Sequence, residues 1–161
     1  MSFFVQPTTS AIPKTKNIRK IGLFLTVILV IFAVTQLFNF DKFSTILTVL
    51  ALPGGAAFAK LHASLFAILE VAAIPFLLSM KLSPAARFLS MAAGWLVVAS
   101  WLFVAIWANV TLVGTPDSGL FGGIIPMLAG WWMVFFFLGL GILVAWVSWG
   151  MWPHMGGVKK R

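Results

Sequence analysis

The sequence predicts an all-α integral membrane protein: an antiparallel bundle of four transmembrane helices, with a short amphipathic interfacial helix between the first and second. Three observations predict it. Hydrophobic residues make up 61% of the chain and charged ones only 9%, whereas soluble domains are about 45–50% apolar and about 25% charged. Four apolar runs approach the ~20 residues that a helix needs to cross a bilayer. The 11 Lys and Arg residues gather near the ends of those runs, where they act as topology signals. The net charge of +8 therefore points to anionic lipid and away from nucleic acid, which is not expected as a partner. With no Cys in the chain, it can build no disulfide, thiol relay or thiolate metal site of its own.

The amino-terminal tail, 1–17, is irregular around Pro7 and Pro13 and basic at Lys14 and Lys16. An apolar run over 21–38 follows. It is too long for a signal-peptide core and lacks an A-x-A cleavage site, so it reads as a retained first span. After Asp41 and Lys42, which read as a local ion pair, Phe43, Ile46, Leu47 and Leu50 recur at helical spacing between Ser44, Thr45 and Thr48. That period describes a short amphipathic helix, expected in the outer interface and ended by Pro53-Gly54-Gly55. The second span covers about 58–80. The link Lys81-Leu82-Ser83-Pro84 is short, and the third span runs over about 87–108, with Ser90 and Gly94 as a small-xxx-small pair. A second outer connection carries the turn signal Thr115-Pro116-Asp117. The fourth span covers about 124–149, with Pro126 near its start and Gly130, Gly139 and Gly141 allowing close approach. Residues 150–161 form a basic tail. No repeat or second domain is visible, so 1–161 reads as one membrane domain. With the N-terminus inside, nine Lys and Arg lie on the inner side and two, Lys42 and Lys60, on the outer. Both termini are then cytoplasmic.

Glu70 is the residue that demands an explanation. It sits at the middle of the stretch KLHASLFAILEVAAIPFLLSM, 60–80, where an acid costs about 2.5–3.5 kcal/mol or more to insert. Pro75 follows and leaves the Val71 carbonyl without its helical donor. Counting about 1.5 Å per residue places Ser100 and Trp101 at the depth of Glu70. Gln36 and Ser64 fall about two turns outward, with His62 and Lys60 beyond them. This predicts a polar cavity opening outward. Trp101, Trp131 and Trp132 read as deep residues able to line a flat pocket, for instance for a quinone ring, while Trp107, Trp146, Trp149 and Trp152 fit interfacial belts. Two readings of Glu70 stay open: a group that carries a proton or binds a ligand, and a neutral acid hydrogen-bonded to Ser100 or Trp101. His62 reads as an interfacial residue or, less readily, a haem ligand; His154 is on the wrong side to pair with it. No metal-ligand spacing, phosphate loop or nucleophile elbow occurs.

These features resemble the DoxX family of small bacterial membrane proteins and its relatives DoxD and MauE. The resemblance is carried by IRKIGLFL, FDKFSTILTVLALPGG, LEVAAIPFLLSMKLSPAAR and the third span, over roughly 18–108. Where helix 1 of the family often ends in Gly-x-x-Lys, this chain reads TQLFNFDK, which Gln36 and Asp41-Lys42 only approximate. The resemblance implies a four-helix bundle in the bacterial inner membrane and a link to redox chemistry through quinone reduction, thiol maturation or oxidant-defence complexes. With a single buried acid and no further catalytic set, the leading expectation is a non-catalytic component or anchor of a redox- or quinone-linked complex with protein partners. A quinone-coupled oxidoreductase subunit binding its substrate near Glu70 is the alternative. A transporter is weaker, for want of an inverted repeat.

Overall fold

A computed structural model of the chain describes residues 13–111 and 117–151. Five helices account for most of it: α1 (Lys16–Phe38), α2 (Phe40–Val49), α3 (Gly55–Leu77), α4 (Pro84–Thr111) and α5 (Trp131–Met151). The four long ones are each long and apolar enough to cross a membrane. α1 packs on α3 and α5, α4 packs on α3 and α5, and α2 lies on α3.

The helix ends follow from local chemistry and differ from the expected spans. α1 starts five residues before 21, because the Thr15 hydroxyl caps it by accepting the Ile18 N–H at 3.4 Å. Lys16, Arg19 and Lys20 therefore lie on the helix itself. α3 stops at Leu77, three residues before 80. Ser79, in the left-handed region at φ 56, donates its N–H to the Phe76 carbonyl, and Met80 donates to that of Pro75. These two bonds form a Schellman termination, made here without glycine. α4 starts at Pro84, three residues before Arg87. Proline fits the first helical position, and the Ser83 hydroxyl caps the Ala86 N–H at 3.2 Å.

The largest difference is the start of the fourth span. α5 begins at Trp131, and 117–130 is not helical. The Asp117 carboxylate accepts the N–H groups of Gly119 and Met127 at 3.1 and 3.3 Å. A bridge pairs Asp117 with Leu128. Gly122, at φ 58, packs against the Thr35 carbonyl of α1, leaving no room for a Cβ. Pro126 thus lies in this loop, ahead of the helix. Lys42 does not serve as Asp41's local partner; its ammonium group donates to the Gly123 carbonyl at 2.6 Å. Thr115 and Pro116 of the expected turn lie outside the described residues, as do Trp152, His154 and the basic tail.

α2 is amphipathic as expected, but its stripe faces the protein and not lipid. Phe43, Leu47 and Leu50 are fully buried. The long helices bear the opposite signature of a lipid environment: Leu23, Val34, Ile68, Leu89, Phe135 and Ile142 are all exposed. On α5, Trp131 and Trp149 are exposed near the two helix ends, about 27 Å apart at 1.5 Å per residue. That spacing is close to the ~30 Å hydrocarbon thickness that aromatic belts bracket.

Glycine sets how near the helices come. A Cβ on Gly22 would stand 2.7 Å from the Leu77 carbonyl oxygen, so α1 and α3 touch backbone to backbone. Gly141 faces Val98 of α4 at 3.3 Å, while Gly139, expected at a contact, faces open space.

Candidate functional site

α3 presents an alanine-rich buried face, Ala59, Ala63, Ala67 and Ala73, interrupted by Phe66 and Glu70. Small side chains let α1 and α4 approach closely, and so bring polar groups within reach of Glu70. From α1, Gln36 donates its Nε2–H to Glu70 Oε1 at 3.1 Å. From α4, the Trp101 indole N–H donates to the same oxygen at 3.2 Å. Gln36, Glu70 and Trp101 are each 0% exposed. One carboxyl oxygen thereby ties three helices together. The other, Oε2, is buried without a partner, as is Gln36 Oε1.

Aromatic rings enclose this cluster. Trp101 is sandwiched between Phe66 of α3 at 4.4 Å and Phe137 of α5 at 5.4 Å, the latter stacked within 2° of parallel. Phe43 of α2 approaches Trp101 at 6.2 Å. Phe32 of α1 meets Phe121 of the 117–130 loop edge-on at 5.7 Å, and Leu120 beside it is buried. α2 and this loop thus occupy the ground where the outward cavity was expected.

Of the residues expected at the site, the structure brings together Glu70, Trp101 and Gln36. Gln36 was placed two turns too far outward. Counting residues assumes upright helices of equal span, whereas α2 takes the position beside the first turns of α3 and leaves the end of α1 level with Glu70. Ser100 is half-buried, and Trp101, not Ser100, supplies the bond from α4. Ser64 donates back to the Lys60 carbonyl at 3.1 Å within its own helix. Trp131 is 58% exposed, because α5 begins there and the residue sits at the helix end, not one-third of the way along it. Trp132, also exposed, donates to the Leu128 carbonyl at 2.9 Å. His62 lies two turns from Glu70 on the same face of α3, its ring between Phe58 at 5.0 Å and Phe66 at 5.2 Å. Its Nε2 is buried without a partner. Among the described residues no group of three His, Cys, Asp or Glu side chains is arranged to hold a metal.

Sequence reasoning saw Ser90 only as a small contact residue. In the structure its hydroxyl accepts the Phe76 N–H at 3.0 Å and donates to the Ala72 carbonyl at 2.6 Å. It stands inside the helical ladder of α3, one residue past Pro75. The signal was present in the pairing of a proline inside the last turn of one span with a serine near the start of the next, across a short link.

An open groove between α4 and α5, of about 410 Å³, is lined by apolar side chains alone, Val98, Leu102, Leu138 and Ile142 among them. It offers no polar atom to orient a ligand. No family model, no curated protein and no solved structure matches this chain.

Proposed function

We propose that this chain is an antiparallel four-helix bundle of the bacterial inner membrane, with both termini cytoplasmic, serving as a non-catalytic component or anchor of a redox- or quinone-linked membrane complex. The observation that carries the non-catalytic reading is the closure of the Glu70 cluster. Gln36 and Glu70 have no exposed surface, and both available donors converge on one oxygen. A carboxyl group held in this way joins α1, α3 and α4; it does not meet a substrate arriving from lipid or water.

Contacts between helix ends support the antiparallel arrangement. The Lys14 N–H bonds the Gly150 carbonyl, Gly22 abuts Leu77, and Phe76 bonds Ser90. The first turns of α1 and α4 thus lie beside the last turns of α3 and α5. Orientation draws on the nine-to-two distribution of Lys and Arg. The bacterial membrane and the redox link draw on the DoxX-like stretches alone, and the protein partners on that same resemblance.

A second reading, a quinone-coupled oxidoreductase subunit with its substrate beside Glu70, draws on the two unpartnered acceptors, Glu70 Oε2 and Gln36 Oε1. They would suit a ligand that brings O–H or N–H donors. Purification in mild detergent separates the readings. The component reading expects a protein partner at fixed stoichiometry and no chromophore. Quinone or haem bound to the isolated chain, seen by absorbance and mass spectrometry, would overturn it.

A further inference from the structure

All three acidic side chains of this chain lie away from one of its ends. The three acids are Asp41, Glu70 and Asp117: one in α2, one at mid-length in α3, and one in the loop after α4. The end built from the first turns of α1 and α4 and the last turns of α3 and α5 carries Lys14, Lys16, Arg19, Lys20, Lys81 and Arg87, and no acid among the described residues.

Within that end α1 presents a composite surface. Lys16 and Lys20 are exposed and one helical turn apart. In line with them on the same face run Leu23, Phe24, Val27, Ile31 and Val34, all exposed. The opposite face of α1, through Ile18, Gly22, Leu25 and Leu29, is the buried one. Lys14 takes no part: its ammonium group lies 3.9 Å over the Trp149 ring at the α1–α5 seam.

We propose that Lys16, Lys20 and the apolar stripe beneath them bind an anionic phospholipid of the bilayer, the phosphate between the two ammonium groups and an acyl chain along the stripe. Charge complementarity selects the headgroup, because a zwitterionic lipid brings its own cation to the phosphate. Continuity of the two cations with lipid-facing residues selects a lipid over an acidic protein segment, which would use the charges and leave the stripe bare. The proposal rests on the reading of α1 as a membrane span.

Native mass spectrometry of the full chain, purified in detergent and offered equal amounts of phosphatidylglycerol and phosphatidylcholine, tests it. Each cation near an anionic headgroup is worth about fivefold in binding, so the pair predicts a preference of up to about 25-fold for phosphatidylglycerol. The preference should collapse in K16Q/K20Q and at about 1 M salt, where the screening length falls to about 3 Å. It should persist in K60Q, which removes a cation elsewhere. Equal retention of both lipids by the unaltered chain would overturn the proposal, as would a preference unchanged in K16Q/K20Q. So would a glutamate-rich peptide that binds the unaltered chain, and not K16Q/K20Q, while both lipids are retained equally. Resistance of the chain to carbonate extraction from membranes is scored separately. Its loss would sink the membrane-span reading, whereas lost selectivity in an integral protein sinks only the lipid site.

Discussion

Glu70 gives up its hydration to sit among apolar side chains, and two donors on Oε1 are what it receives in return. Replacing it by Gln keeps an acceptor for Gln36 and Trp101 and turns Oε2 into an N–H donor. Gln36, already bonded to Glu70, keeps an unpartnered acceptor, Oε1, that such a donor would suit. Glu70→Gln should therefore match the parent within about 1 kcal/mol, the size of one hydrogen bond inside a membrane. Glu70→Leu removes the acceptor and leaves two buried donors unpaired, at a cost of about 1–3 kcal/mol. Denaturation midpoints in detergent measure both. A Leu variant as stable as the parent would show that the cluster does not hold the helices together. A Gln variant that assembles normally but abolishes turnover of the complex would favour the second reading, in which the group ionises or takes a ligand. The acid itself was legible in the sequence, since a carboxylate at mid-span is conspicuous. Its partner Gln36 was not, because depth counted along separate helices carries no information about their relative heights.

At the scale of elements, α3 runs on through its proline with help from a neighbour. Pro75 brings no N–H to the Val71 carbonyl, and at the next rung the Ser90 hydroxyl accepts the Phe76 N–H and donates to the Ala72 carbonyl. A side chain set into the ladder is one of the few ways a helix accommodates such a position. Ser90→Ala should cost about 1–2 kcal/mol by leaving both backbone groups unpaired. In a Pro75→Ala background the ladder can close directly, so the same substitution should cost much less. A double-mutant cycle reads the difference as a coupling energy; additive effects would show that the hydroxyl and the proline are unrelated. Glycines grade the helix contacts in the same way. Gly22→Ala drives a Cβ into a backbone oxygen that cannot yield, for a loss of about 1–3 kcal/mol. Gly94→Ala meets Ala73 at an ordinary 3.7 Å and should be neutral or gain up to about 1 kcal/mol of helix propensity. Thermal unfolding of the two variants side by side would expose any error in that ranking. Sequence spacing could not have ranked these glycines, because it marks small residues and not what stands opposite them.

Over the whole molecule, what could be read in advance was whatever depends on solvent. Apolar runs of spanning length and the helical period at Phe43, Ile46, Leu47 and Leu50 each register a choice between water and apolar surroundings, and each appears as a helix. What could not be read was what depends on the neighbour. Residues 124–130 are as apolar as a span, yet Asp117, Gly119 and Gly122 hold them in a loop, because Leu120 and Phe121 have a core to enter. The stripe of α2 has the pattern of a helix lying on lipid, and periodicity alone does not distinguish lipid from α3. The orientation of the molecule is the widest claim that still draws on charge. In the proposed orientation, drawn from nine Lys and Arg against two, the start of α1 is cytoplasmic and α2 lies on the far side. The chain contains no Cys, so a single introduced thiol can be read without background. Asn17 and Thr48 are both exposed and lie at opposite ends of this arrangement. In intact spheroplasts a membrane-impermeant maleimide should label Thr48→Cys and leave Asn17→Cys unlabelled until the membrane is opened. The reverse pattern would turn the molecule over. It would place the six-cation end outside, against the charge bias that oriented it, and move the proposed lipid surface to the other leaflet.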